Sequence, residues 1–208
     1  MKKLITEKHI QEASQQRKST LEVNAQTLIT PAAKDAAKAL GIKLIMEGVR
    51  KHQPTVSTHE AGLVVIGSDH GGFQLKEVLR PFIEALGYQV QDIGTASEDP
   101  VDYPDFAEQV ARWVARKSAW RGIMIDAVGV GSAMVANKIP GIRAAVGYNI
   151  FSAKSSREHN DANVLTLGGR LIGSELAKEM VRVFLATEFG GGRHQPRVDK
   201  IMAIETKG

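Results

Sequence analysis

From Leu63 onward, short and mostly apolar runs alternate with segments whose large apolar residues recur at helical spacing. No other feature constrains the fold as strongly. Leu63-Val-Val-Ile, Tyr88 to Ile93, Ile123 to Ile125, Ala144 to Tyr148 and Val164 to Leu167 read as five strands. Leu75, Val78, Leu79, Phe82, Ile83 and Leu86 form one helical stripe closed by Gly87. Phe106, Val110, Trp113 and Val114 stripe a second helix, and Leu176, Met180 and Phe184 a late one. Strands this apolar on both faces belong in a parallel sheet covered by helices on each side. The expected fold class is α/β: a three-layer, Rossmann-like domain with a five-stranded parallel sheet, plus a small N-terminal extension. In such a sheet, ligands bind outside the carboxyl ends of the strands.

The extension has its own pattern. Ile5 to Ala13 reads as a short helix with Thr6 as cap, and Leu21 to Ala25 alternates like a strand. Thr30-Pro31 followed by Ala-Ala-Lys-Asp-Ala-Ala-Lys-Ala-Leu-Gly41 carries a Thr cap, Pro in the first turn and Gly at the end. Ile42 to Ile45 reads as a strand. The expected division is residues 1–46 as an extension, 47–62 as a polar linker and 63–208 as the main domain.

Charge and composition narrow the function classes. The formal net charge is +4, with ten Lys/Arg against six Asp/Glu in residues 1–60 and seventeen of each in 61–208. A balanced main domain argues against a nucleic-acid surface. No apolar run approaches the roughly 18 residues of a membrane helix, and the start lacks a signal-peptide core. The expectation is a cytoplasmic protein with no membrane partner. With no cysteine, disulfides, thiolate metal sites and a thiol catalyst are excluded.

One stretch joins a strand to a glycine loop and a helix: Gly122-Ile-Met-Ile-Asp126-Ala-Val-Gly129-Val-Gly131-Ser-Ala-Met-Val-Ala-Asn-Lys138. Such a turn directs backbone N–H groups at one spot that suits an anionic oxygen. Asp126 stands at its lip, where a carboxylate could transfer protons next to a carbonyl. Further polar groups gather at the strand ends: Ser68-Asp69-His70, then Arg157-Glu-His159-Asn160-Asp161 before the fifth strand. Near the end come Arg193 and Arg197, spaced to grip a phosphate from one helical face. Each has a plainer reading. Asp69-His70 could cap the next helix, His159-Asn160 could end one, and the arginines could be solvated surface cations. Tyr103-Pro104 reads as turn packing.

Together these residues resemble a known family. Gly-Ser-Asp-His-Gly-Gly-Phe-x-Leu-Lys at 67–76, Asp-Tyr-Pro-Asp at 102–105, Ala-Asn-Lys-Ile-Pro-Gly-Ile-Arg at 136–143, Arg-Glu-His-Asn-Asp-Ala-Asn-Val-Leu at 157–165 and Gly-Gly-Arg-His-Gln-x-Arg-Val at 191–198 resemble ribose-5-phosphate isomerase type B. The likeness covers about residues 63–205. It implies an aldose–ketose isomerase acting through a cis-enediolate, without metal or organic cofactor. It also implies a homodimer, or a dimer of dimers, with sites shared between subunits. Arg193 and Arg197 would hold the sugar phosphate with His70 and Arg170. His159 would open the sugar ring, and Asn160 and Asp69 would contact its hydroxyls. Gly129 and Gly131 would offer N–H groups to the enediolate oxygen.

The sequence departs from that family at one telling place. Many members carry Cys-Gly-Thr-Gly where this chain has Asp126-Ala-Val-Gly129, and the cysteine is their proton-shuttling base. A subset uses Glu at the position of Ser132, which is absent too. Asp126 is the natural substitute, although a shorter and weaker one than Glu. The local run Ile-Asp-Ala-x-Gly-x-Gly-x-x-Met-Val-Ala is similar to galactose-6-phosphate isomerase subunits, which brings hexose 6-phosphates into range. A catalytically silent sugar-phosphate binder is the other alternative. The extension, through Met-Lys-Lys-Leu-Ile-Thr and Ile29 to Gly41, resembles an ethanolamine-utilisation protein of bacterial microcompartments. That implies docking to shell or cargo proteins, with the enzyme in a microcompartment lumen; an oligomer contact is the plainer reading.

Overall fold

A computed structural model describes residues 4–16, 18–23, 27–46 and 62–205. Contacts divide the chain into two units, Met1–Thr55 and Val56–Gly208.

In the first unit β1 (Leu4–Ile5), α1 (Glu7–Gln15), β2 (Thr20–Val23), β3 (Leu28–Ile29), α2 (Pro31–Ala39) and β4 (Lys43–Met46) follow in order. Both helices begin where the sequence marks a cap. The Thr6 N–H donates to His9 Nδ1 at 3.1 Å, and Thr30 Oγ1 accepts from the Ala33 N–H at 3.2 Å. Gly41, with φ +66°, takes the left-handed turn that ends α2. Two parallel pairs form, β1 with β3 and β2 with β4. Ile5 therefore belongs to a strand rather than to α1. Strands of two residues carry no alternation, so β1 and β3 left no periodic signal. Ile5, Ile10, Ala13, Val23, Ala33, Ala37 and Ile42 make a core internal to this unit. The expected linker lies outside the described residues except for Gly62.

The second unit contains β5 (Leu63–Ser68), α3 (Phe73–Ala85), β6 (Gln89–Asp92), α4 (Tyr103–Ala115), β7 (Arg121–Asp126), α5 (Val130–Ala136), β8 (Ala144–Gly147), α6 (Ile150–Asn160), β9 (Val164–Gly168), α7 (Ser174–Ala186) and α8 (Gln195–Met202). A 3-10 turn, Gly192–His194, precedes α8. The five strands pair in parallel in the order β6-β5-β7-β9-β8. Alternate residues feed two cores. Ile66, Ile123, Ile125, Leu165 and Leu167 pack with α3, α6 and α7 on one face. Val65, Met124 and Val164 pack with α4 and α5 on the other. This is the expected three-layer, Rossmann-like arrangement with a five-stranded parallel sheet. The strand order reverses between β5 and β7, and the ends of these two strands frame a ligand crevice.

α6 is the helix that periodicity did not disclose. Its buried residues are Ala153, Ser156 and Arg157, two small side chains and a cation, rather than a large apolar stripe. Arg157 Nη1 donates to Asp161 Oδ1 at 2.7 Å and to the Ala162 carbonyl at 2.6 Å, and Nε to the Thr187 carbonyl at 3.3 Å. Hydrogen bonding, not apolar periodicity, seats this helix.

Candidate functional site

At the crevice, the loop after β5 lies directly on the end of β7. The Asp69 N–H donates to the Ile125 carbonyl at 3.2 Å, and a Cβ on Gly72 would overlap that same carbonyl. Only glycine permits so close an approach. Asp69 Oδ1 accepts from the Gly72 N–H at 2.9 Å, an Asx-type turn leading into α3. His70 Nδ1 lies 3.2 Å from both the Val101 N–H and the Val101 carbonyl, so the backbone of Val101 fixes the ring. A cleft of about 220 Å3 opens here, lined by Asp69, Tyr103, Asp126, Ala127, Val128 and Gly131. Arg170 is exposed on the turn after β9, its N–H donating to the Ala127 carbonyl at 3.2 Å.

Asp126 sits at the end of β7, only 5% exposed, with its carboxylate folded into its own loop. Oδ1 accepts from the Val128 N–H at 2.7 Å and from the Gly129 N–H. Oδ2 accepts from the Ser132 N–H at 3.1 Å and from the Ser132 hydroxyl. A carboxylate offers about four lone-pair positions, and here four donors meet them. This geometry bears on two of the expected roles. Asp126 as proton-transferring base lacks a free lone pair, and the Gly129 N–H is already taken, so it has none for an enediolate oxygen. Gly129 itself is needed for backbone shape, with φ +87°. The N–H of Gly131 has no partner among the described residues, and the Tyr103 ring covers this glycine.

The Asp69 carboxyl is in a different condition. It is also 5% exposed, but fewer donors meet it: the Gly72 N–H bonds Oδ1, and the Gly71 N–H acts on the carboxyl as well. Burial raises its pKa above the usual value of 3.8, and the nearby Asp126 charge adds to that. The Gly72 N–H, the His70 ring and the Gly71 N–H act in the opposite direction.

The remaining candidates lie at the other edge of the sheet. α6 runs back from the carboxyl end of β8, so His159 and Asn160 finish at the amino end of β9. Within one chain they therefore do not join Asp69 and Asp126 at the carboxyl ends. Five residues of β9 separate the two edges by about 16 Å. His159 stacks on His194 with ring centroids 4.3 Å apart, and its Nδ1 lies 3.1 Å from Ser155 Oγ. Asn160 is exposed and does not cap α6; Asp161 takes the left-handed position with φ 48°. Arg193, on the 3-10 turn, and Arg197, on the first turn of α8, are both exposed beside His194. Slight desolvation lowers the His194 pKa, and the charges of His159, Arg193 and Arg197 push it the same way. A group in which cationic and imidazole side chains outnumber the one acting anion, Glu158, suits an anion by composition.

Residues 64–201 match the family model described as Ribose/Galactose Isomerase. The chain belongs to this ribose/galactose isomerase family. Its members belong to the aldose–ketose isomerase class. Ribose-5-phosphate isomerase B of Escherichia coli is 46% identical over 144 residues, 69% of this chain and 97% of that protein. The galactose-6-phosphate isomerase subunit LacA of Streptococcus equi subsp. zooepidemicus is 41% identical over 138 residues, 66% of this chain and 96% of that one. The solved structure of ribose-5-phosphate isomerase B from Clostridium thermocellum superposes with a TM-score of 0.69 at 50% identity, covering 70% of this chain and 98% of that one.

Within this family member, sequence reasoning missed the place of Tyr103. It opens α4 at the first helical position, yet its ring borders the cleft over Gly131. Its sequence signal was the motif Asp102-Tyr-Pro-Asp105, which also has the form of a helix start. Among the described residues no group of three or more His, Asp or Glu side chains could hold a metal ion. None of the described helices is long and apolar enough to cross a membrane.

Proposed function

We propose that this chain interconverts ribose 5-phosphate and ribulose 5-phosphate, in sites shared between two copies of itself. The observation that carries the reading is the separation of its two half-sites. One chain holds a carboxylate cleft at the carboxyl edge of the sheet and a cationic group about 16 Å away at the amino edge. A small sugar phosphate meets both only if a second copy brings its amino edge to the first copy's cleft. Exposed apolar side chains around the carboxyl edge, Val128, Met134, Tyr148, Phe151 and Leu171 among them, supply a surface for such a contact.

In this arrangement Arg193 and Arg197 of one copy grip the phosphate by charge-assisted hydrogen bonds, with His70 and Arg170 of the other completing the cage. His159 donates and accepts a proton as the sugar ring opens, and Asn160 and Asp69 bind hydroxyls. The N–H of Gly131 faces the oxygen that gains charge in the enediolate. No cofactor enters the scheme. The similarity to a galactose-6-phosphate isomerase subunit supports a second reading, a hexose 6-phosphate as substrate. We also propose that residues 1–46, outside the family match, dock the enzyme to shell or cargo proteins of a microcompartment. Their separate core supports a self-standing docking unit.

The test is proton NMR of purified protein in D2O with ribose 5-phosphate and galactose 6-phosphate. Deuterium entering C2 of the pentose at least tenfold faster than C2 of the hexose is the expected result. The reverse order selects the hexose, and no exchange in either removes the isomerase reading. Sharing of the site is tested by mixing Asp69→Asn protein with His159→Ala protein. Re-formed mixed dimers should restore about a quarter of the activity, since half of the dimers carry one intact site.

A further inference from the structure

We infer that Asp69, not Asp126, is the catalytic carboxylate that moves the substrate proton between C2 and C1. The inference rests on the isomerase reading above and assigns the residue that reading leaves open. Where many relatives have a thiol at the end of β7, this chain has a side chain that is structurally occupied. Four donors from residues 128, 129 and 132 surround the Asp126 carboxylate, so it acts as the strut that closes the β7–α5 loop. A general base needs an unshared pair directed at the substrate.

Of the side chains lining the cleft, Asp69, Tyr103 and Asp126 can exchange protons. Tyr103 offers a phenolic hydroxyl, a hydrogen-bond donor to substrate oxygens rather than a carboxylate base. Asp69 is 95% withdrawn from solvent, borders the cleft, and meets two donors, the N–H groups of Gly72 and Gly71, where Asp126 meets four. A carboxylate has about four lone-pair positions, so Asp69 keeps some unfilled. The turn around Gly72 is locked against the Ile125 carbonyl, so the carboxyl is aimed by packing rather than by a mobile side chain. Burial, with the neighbouring Asp126 charge behind it, raises its proton affinity, which is the adjustment an aspartate needs to serve as base.

The step balances without any further reactant. Asp69 Oδ2 takes the proton from C2 of the open-chain aldose, and the C–H electron pair becomes the C1–C2 double bond. The carbonyl pair moves onto O1, forming the cis-enediolate. The O2 hydroxyl proton passes to O1, the C2–O2 double bond forms, and the carboxylic acid of Asp69 returns its proton to C1. The product is the ketose, and the carboxylate is restored.

The experiment compares Asp69→Asn, Asp69→Glu and Asp126→Asn in the full-length protein. Three readouts are taken: kcat with its pH profile, deuterium exchange at C2, and binding of a phosphorylated sugar alcohol that cannot isomerise. Asp69→Asn should lose at least a hundredfold in kcat and all measurable exchange, while binding the sugar alcohol within about fivefold of wild type. Asp69→Glu should keep some exchange and displace the acid limb of the kcat profile. Asp126→Asn should melt lower but continue to exchange, with that limb in its wild-type position. Exchange surviving in Asp69→Asn, or lost in folded Asp126→Asn alone, overturns the assignment while leaving the isomerase reading intact. Wild-type protein that binds the sugar alcohol and exchanges no sugar phosphate sinks both.

Discussion

The loops after β5 and β7 have the same plan, a strand ending in an aspartate that turns into a helix, yet they use the aspartate in opposite ways. After β7 the carboxylate is consumed by the loop, each oxygen meeting two donors. After β5 the carboxylate closes its turn on the Gly72 and Gly71 N–H groups and borders the cleft with lone pairs to spare. Two residues equally buried, and side by side at the same crevice, thus divide structure from chemistry. Burial does not distinguish a working carboxylate from a structural one; the count of filled lone pairs does.

The largest expected effect strikes the structural member. Asp126→Ala strands the N–H groups of Val128, Gly129 and Ser132, and each unmet buried donor costs about 1–3 kcal/mol. We expect a loss of about 3–5 kcal/mol in urea unfolding; a loss under about 1 kcal/mol would break the contrast. Next, Gly72→Ala forces a Cβ against the Ile125 carbonyl. It should cost about 2–3 kcal/mol and displace Asp69, with exchange falling alongside stability. At the opposite edge the arginines are exposed and have no fold to hold up. Arg197→Ala should leave the melting temperature within about 2 °C, while raising KM about tenfold or more through loss of a charged hydrogen bond.

Smaller effects sharpen the comparison by sign. Asp69 has a folded pKa above its unfolded one, so the native state holds its proton more tightly. Its ionisation therefore opposes folding, and that cost grows as pH rises from 3.8 through the folded value. Asp69→Asn keeps an acceptor for the Gly72 N–H and should melt higher than wild type at pH 7. The gain should shrink toward pH 3; a lower melting temperature at pH 7 would place Asp69 with Asp126 as a strut. The smallest effect concerns His194, whose pKa is lowered chiefly by desolvation and then by its cationic neighbours. Inorganic phosphate should raise it, read from the imidazole proton shifts, and no movement would count against an anion at Arg193 and Arg197.

Much of the architecture was written in residues a few positions apart. The stripes from Leu75 to Leu86 and from Phe106 to Val114 appear as α3 and α4, and Thr30-Pro31 opens α2. α6 was obscure because Arg157 and small residues fill its buried face, so no apolar period exists to be read. The site was legible as a set of residues but not as a place. The family likeness groups His159 and Asp69 in one kind of site, yet the antiparallel return of α6 carries His159 to the other end of the sheet.

By itself the sequence determined the alternation of strand and helix, the layered sheet, the absence of any thiol and the roster of polar residues. Those properties follow from local periodicity and composition, which act over one or two turns of chain. Tertiary structure alone decided which of two aspartates keeps a free lone pair, and on which edge each group lies. Hydrogen bonds such as Ser132 to Asp126 depend on how a loop closes in space, and side-chain identity along the chain does not record that closure.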